Sequence, residues 1–340
     1  VNLGGEQNLV RWGIIGLGRI ADSEIAPAIS ASPQGVLHAV VSRDQGRADA
    51  FAQRHGAARA LTSFDDLLAD PAVDAVYIAT PNALHADQVV AAAQAGKQVM
   101  CDKPLALSVA DAHRATAACE QAGVKLGITF QTRFHGNFGR FRELIQGGSL
   151  GEIRVVQVEM SSGRTLLKGW RTDPALAGLG TINNIGVHAF DLIRYLLGTD
   201  VTEVTALTGH EEGLVPETLA LVLLRYGTDV LAYVNVNQSV AHPQADITVY
   251  GTKGRVVGRS CTRMNMNGTL AIMTEAGETT LETASFDAYK GAVRAFERAI
   301  TSGREPSPSG LDGLRSVELT TAIANSLIQG RTMEVTASVR

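Results

Sequence analysis

The sequence predicts an α/β domain built on a doubly wound parallel sheet, followed by an α+β domain with a large, open, mostly antiparallel sheet. Three observations lead there. The first 130 residues alternate short, almost wholly apolar runs with helix-like segments, the mark of strands covered on both faces. A glycine turn, Gly16-Leu17-Gly18, stands between the first such run and the first helix. From about residue 201, alternating and β-branched runs follow one another with no helix between them. At 340 residues, 45% hydrophobic and 19% charged, the chain suits two cores. The expected division is 9–130 and 131–335, with the carboxyl-terminal helix packing back on the first domain.

Strands are expected at 12–15, 37–41, 75–79, 98–101 and 125–130, and helices at 20–30, 45–55, 64–69, 83–95 and 109–121. Ser63 and Ser108 each precede a helix and are followed three residues on by Asp66 and Asp111, which is N-cap chemistry. Gly96 and Gly123 close helices. Beyond residue 130 an amphipathic helix, 138–146, ends at Gly147-Gly148, and a strand follows at 153–160. A Gly-rich loop leads to a helix at 183–197, then strands at 201–207, 218–225, 230–240, 245–250 and 255–259. Helices return at 289–300 and 311–329.

Composition excludes several function classes. A net charge of −4 with no block of like charges argues against nucleic acid or an anionic membrane as partner. No apolar stretch reaches the ~18–20 residues needed to span a bilayer. Residues 1–10 are polar and lack a targeting pattern, so a cytoplasmic location is expected. Cys101, Cys119 and Cys261 fit neither a disulfide framework nor a metal spacing, and no metal is expected.

Gly16-Leu17-Gly18-Arg19-Ile20-Ala21 follows a strand and opens a helix. Gly16 permits the tight turn, Gly18 lets backbone approach a diphosphate, and Ala21 allows close helix–strand packing. The helix start then turns its positive end toward the phosphates. The pattern alone is also that of an ordinary strand–helix turn; its place in the first of several βα units points to a dinucleotide. After the second strand come Ser42-Arg43, with Arg47 one turn later, where an acid would favour NAD. A hydroxyl and guanidinium groups suit a 2′-phosphate, so NADP(H) is favoured over NAD(H). Asp44 reads as the start of the next helix. Thr80-Pro81-Asn82 and His85 lie just past the strand at 75–79, at a sheet edge where ligands bind.

Asp102-Lys103-Pro104 follows the strand at 98–101. Lys103 there can hold a substrate oxygen and stabilise charge on it; paired with Asp102 it would be only a surface cation. Asn184 and His188 are four apart at the start of a helix and share a face. His188 is the candidate proton carrier, its ordinary pKa near 6.5 suiting transfer at neutral pH. A single helical histidine more often serves packing, but Gly180 and Gly186 beside it allow close approach.

On these motifs, with Gln131-Thr132-Arg133-Phe134, the turn Gly148–Ile153, Trp170-Arg171 and Gly186-Val187-His188-Ala189-Phe190-Asp191-Leu192, nearly the whole chain resembles the glucose–fructose oxidoreductase/inositol dehydrogenase/rhizopine-catabolism (Gfo/Idh/MocA) family. The resemblance implies a Rossmann domain, a bound nicotinamide cofactor and a sugar or polyol substrate. It also implies a homodimer or homotetramer formed through the carboxyl-terminal sheet. In members like 1,5-anhydrofructose reductase, the positions of Ser42, Arg43, Trp170 and Arg171 contact NADPH, with Tyr289 a looser match. Arg133, His135, Asn137, Lys168 and Asp173 are candidate sugar contacts, polar side chains in connecting loops. Two departures stand out: Asp102 replaces the family's Glu, and Asn184 replaces its Asp, leaving a hydrogen-bonding group without charge. The expected activity is interconversion of a CH–OH group and a ketone. A non-catalytic sensor on the same scaffold and a glycosidase that retains NAD are the alternatives.

Overall fold

The computed structural model describes residues 9–162, 167–212, 216–262, 267–282 and 286–337. The chain divides into two compact units, 1–106 with 110–129 and 289–314, and 107–109 with 130–288 and 315–340.

In the first unit the apolar runs form β1 (Val10–Ile15), β2 (Gly35–Val41), β3 (Arg59–Leu61), β4 (Ala75–Ile78), β5 (Gln98–Cys101) and β6 (Leu126–Ile128). They lie in the order β3-β2-β1-β4-β5-β6, every pairing parallel. The chain winds outward from β1 to β3 and then returns to the other side of β1 with β4. The carboxyl ends of β1 and β4 therefore diverge into the switch-point crevice where such sheets take ligands. All four residues of β4 are buried, as a two-sided cover requires. The helices are α1 (Ala26–Ser30), α2 (Gln45–His55), α3 (Phe64–Ala69), α4 (His85–Gln94) and α5 (Val109–Ala122). Asp44 caps α2 by accepting from Arg47 N at 2.7 Å, and Ser63 caps α3 by accepting from Asp66 N at 3.2 Å. One expectation needs correction: 20–30 is not a single α-helix, because Ala21–Ile25 is a π-helical turn leading into α1.

The second unit opens with α6 (Gly136–Gln146), followed by β7 (Ile153–Ser161), α7 (Pro174–Ala177) and α8 (Val187–Leu197). Then come β8 (Val201–Gly209), β9 (Leu219–Tyr226), β10 (Val230–Asn237), β11 (Ile247–Gly251), β12 (Gly254–Arg259), β13 (Thr269–Thr274) and β14 (Gly277–Glu282). With the carboxyl-terminal β15 (Met333–Glu334) they make a nine-stranded sheet in the order β14-β13-β12-β11-β7-β10-β9-β8-β15. Only β7 and β10 run parallel; the other pairs are antiparallel. Alternation fixes the buried face: Val222, Leu224, Val234, Val236, Val156 and Val158 join Phe138, Phe141, Phe190 and Ile193 in one core. The opposite face leaves Leu207 at 73%, Leu223 at 58% and Leu231 at 48% exposure.

Two more helices, α9 (Ala288–Ser302) and α10 (Gly310–Gln329), complete the chain. Within the first unit, Glu297 of α9 is fully buried and accepts from the Trp12 indole N–H at 3.0 Å and from the Ser32 hydroxyl. Phe296 stacks 5.7 Å from Trp12. A buried carboxylate satisfied by two donors ties β1 to α9. No helix among the described residues is long and apolar enough to cross a membrane.

Candidate functional site

In the first unit the site grows from three turns at the carboxyl ends of β1, β4 and β5. Gly16 adopts φ +89°, and a Cβ there would stand 2.5 Å from the carbonyl of Ala79, so only glycine lets the β1 turn lie against the β4 turn. A Cβ at Gly18 would meet nothing within 4 Å. That open space beside backbone is what a diphosphate needs. Ala21 is fully buried at the start of the π turn, a helix irregularity frequent at functional sites. Leu17 is buried, while Arg19 is exposed and Ile20 half-buried.

Four residues expected at the cofactor also have local partners. The Arg47 guanidinium donates to the Leu17 carbonyl, so it braces the glycine turn from α2. Ser42 Oγ accepts from Asp44 N at 3.3 Å, and Arg43 stands exposed at the end of β2. His85 is the most enclosed of these. Its ring is buried, with Nδ1 2.7 Å from the Pro104 carbonyl and Nε2 2.9 Å from the Thr80 carbonyl. Both ring nitrogens face backbone carbonyls, so His85 links the β4 turn to the β5 turn that carries Lys103. Burial lowers its proton affinity even against the pull of those carbonyls and of Asp102. Thr80 Oγ1 donates to Gln88 at 2.6 Å, and Pro81 leads into a short 3₁₀ turn, Asn82–Leu84.

Asp102 accepts from Lys103 N at 2.9 Å, which folds its carboxylate back on the backbone of the turn. The Lys103 side chain is half-buried. Tyr289 of α9 lies almost buried near Asp102 and Arg19; burial, with Asp102 and Glu24, raises its phenol pKa, and Arg19 opposes. The Cys101 thiol is pushed well up by burial and by Asp102, which makes it inert.

In the second unit Asn184 sits in a second π-helical turn, Ile182–Gly186, and His188 in the first turn of α8. Asn184 Nδ2 donates to Gln238 Oε1 at 3.0 Å. His188 is buried, its ring edge-on to Phe130 with centroids 6.2 Å apart. Glu217 closes the start of this helix: Gly180 N donates to Oε2 at 2.7 Å and Ile182 N to Oε1 at 3.0 Å. Burial raises the Glu217 pKa, and the two N–H donors partly offset it.

Several expected sugar contacts are already engaged. The Arg133 Nε donates to Asp191 at 2.7 Å, a second N–H reaches the other carboxylate oxygen, and the guanidinium lies 5.0 Å over the Tyr195 ring. Both charges are buried, so Arg133 is first a partner of Asp191. His135 Nδ1 accepts from Asn137 N at 3.2 Å, capping α6, and its ring packs 3.9 Å from Phe286. Asp173 caps α7 by accepting from Ala175 N at 2.9 Å. Asn137 is buried, and Lys168 is exposed just before the 3₁₀ turn Gly169–Thr172. In that turn the Arg171 guanidinium stacks 4.3 Å over the Trp170 ring. Sequence reasoning missed Glu217 and Gln238, whose partners lie 37 and 54 residues away.

Residues 10–130 match the oxidoreductase family with an NAD-binding Rossmann fold, and residues 138–257 match the GFO/IDH/MocA C-terminal domain. The chain belongs to the GFO/IDH/MocA oxidoreductase family. Members similar to it include 1,5-anhydro-D-fructose reductase of Ensifer adhaerens, 32% identical over 96% of this chain and 98% of that one. D-xylose 1-dehydrogenase (NADP(+)) 2 of Haloferax volcanii is 34% identical over 95% and 99%. Among solved structures, aldose-aldose oxidoreductase from Caulobacter crescentus, complexed with glycerol, superposes with a TM-score of 0.89 at 29% identity, covering 96% and 99%. As a GFO/IDH/MocA protein the chain is an NAD(P)-dependent enzyme of CH–OH chemistry. The open space at Gly18 fits the dinucleotide that the family implies. Among the described residues no His/Cys/Asp/Glu group forms a metal cluster.

Proposed function

We propose that this protein is an NADP(H)-dependent oxidoreductase acting on a sugar, anhydrosugar or cyclic polyol. The observation that carries the reading is the Gly16–Gly18 turn packed on the Thr80 turn, with His85 tying the latter to the turn bearing Lys103. A bound nicotinamide supplies or accepts the hydride. Residues 16–20, Ser42, Arg43, the turn at Thr80-Pro81-Asn82, Asp102, Trp170, Arg171 and Tyr289 hold it. Lys103 holds and polarises the substrate oxygen, His188 takes its proton in oxidation or returns it in reduction, and Asn184 orients the hydroxyl. Arg133, His135, Asn137, Lys168 and Asp173 are the candidate sugar contacts. The names of the relatives support a sugar substrate. The exposed Arg43, and the NADP(+) in one relative's name, support the 2′-phosphate.

The exposed leucines of β8, β9 and β10 support assembly of two or more copies through that sheet face. Fluorescence titration with NADPH and NADH tests the cofactor. NADPH tighter by tenfold, about 1.4 kcal/mol, is expected, with ketosugars then screened for reduction. Equal affinities, retained in Arg43→Ala, would remove the phosphate assignment.

A further inference from the structure

The helix carrying Asn184 and His188 has no cap of its own: Thr181 at its start makes no side-chain capping bond. Its first donors converge instead on one residue from the start of β9. Glu217 takes Gly180 N–H on one carboxylate oxygen, Ile182 N–H on the other, and Thr181 N–H on its own carbonyl at 2.8 Å. The fit leaves no slack, since a Cβ on Gly180 would stand 2.2 Å from the Glu217 carbonyl oxygen. A carboxylate at a helix start also meets the positive end of the helix dipole. The same strand end reaches Asn184 by a second route. Gln238 N donates to the Thr218 carbonyl at 2.8 Å, and Gln238 Oε1 accepts from Asn184. One end of the β9–β10 ladder thus holds both the backbone before Asn184 and the Asn184 side chain.

We propose that Glu217 is a positioning residue whose two-oxygen grip on Gly180 and Ile182 sets where Asn184 and His188 meet the substrate. The inference rests on the reading of those two residues as substrate-facing. Glutamine at 217 keeps the shape but offers one acceptor, turning an amide N–H toward a backbone N–H. Glu217→Gln is the main variant, Glu217→Ala the harsher one, and Glu212→Gln, an exposed acid of the same connection, the control.

Five quantities are measured on the full chain: melting temperature, NADPH affinity, kcat and KM for whichever sugar the wild type turns over, and the His188 ring resonances, assigned with His188→Asn. Glu217→Gln is expected to keep NADPH affinity within twofold, lower kcat at least tenfold, and shift the His188 resonances, while Glu212→Gln matches wild type. Unchanged kcat, KM and His188 resonances in Glu217→Gln would overturn the proposal. So would a kcat loss with unmoved His188 resonances. If Glu217→Ala does not fold, Glu217→Gln decides alone. A wild type that binds nucleotide and turns over no sugar sinks the proposed function instead, and the His188 resonances then judge Glu217 separately.

Discussion

A single methyl group, added at Gly16 or at Gly18, separates the two duties of the glycine turn. At Gly16 φ is +89°, and the new Cβ would lie 2.5 Å from the carbonyl carbon and oxygen of Ala79 and 2.6 Å from Thr80 N. These are backbone atoms and cannot rotate away. An L-residue held at such a φ costs about 1–3 kcal/mol, and prying the two turns apart adds overpacking of about 1–3 kcal/mol. Gly16→Ala is therefore expected to lose about 2–6 kcal/mol, a large share of the ~5–15 kcal/mol that holds a typical domain folded. At Gly18 the methyl meets nothing within 4 Å, and φ is one that alanine adopts freely. Gly18→Ala should stabilise the nucleotide-free protein by about 0.4–1 kcal/mol by restricting the unfolded chain. The same methyl fills the space left for the diphosphate, so affinity for both NADPH and NADH should fall at least tenfold, about 1.4 kcal/mol. Urea unfolding without nucleotide and fluorescence titration with it measure the two effects separately. A Gly18→Ala protein that binds both nucleotides like wild type would refute the assignment of this turn. A Gly16→Ala protein as stable as wild type would refute the steric argument.

His85→Ala removes a ring that, neutral, donates to one of the Pro104 and Thr80 carbonyls, at roughly 1–3 kcal/mol, and frees the Lys103 turn; kcat should fall about a hundredfold, and His85→Gln should recover part of both losses, as read by unfolding and turnover. Burial alone would push Asp70 up, but the Ala72 N–H, Arg59 and His38 outweigh it and hold its pKa at about 2. Its stabilisation is full above the unfolded carboxylate pKa of about 3.9 and is lost as pH falls from there toward 2; Asp70→Asn should erase that slope in acid unfolding curves. Glu297 has the opposite sign, because burial raises its pKa despite the Ser32 and Trp12 donors. The stability it contributes is full below about pH 4.3 and lost as pH rises through the raised folded value. Wild type should therefore lose its advantage over Glu297→Gln as pH rises above about 4.3 in urea unfolding, and a constant difference would contradict the buried-carboxyl reading.

What was legible in the sequence was whatever a few neighbouring residues decide. The helices at 45–55 and 64–69 agree with α2 and α3 because Asp44 and Ser63 advertise their caps. The strands of the parallel sheet show because burial on both faces strips them of polar residues. β14 was missed since all six of its residues are exposed and carry no alternation, and β3 and β15, at three and two residues, are too short to show a period. The π turns at Ala21–Ile25 and Ile182–Gly186 escaped because five residues cannot separate one helical period from another. In the site, the part of Gly16 followed from local backbone. What a local reading does not show are the distant partners: Leu17 for Arg47, thirty residues away, and Asp191 for Arg133, fifty-eight away. Asp173 is a different lesson. Followed by Pro174, it carries the signature of a helix start, which its bond from Ala175 N bears out.

Asn184, where the family has Asp, changes the charge of the site without changing its scaffold. Its amide donates to Gln238 Oε1, so the bond seen here needs a donor at 184. A glutamine amide can reverse and donate, which means that Gln238 can partner either an amide or a carboxylate at that position. Glu217 and Thr218 anchor the helix and Gln238 whichever residue is present. These anchors are made to backbone groups and do not involve the 184 side chain. On the proposed reading, an amide at 184 leaves proton transfer to His188 with no carboxylate contributed from four residues before it, and 184 would read the direction of a substrate hydroxyl. Such a site discriminates by hydrogen-bond geometry more than by electrostatic pull, and a substrate hydroxyl that both donates to and accepts from an amide matches it better than one that must be ionised before it binds.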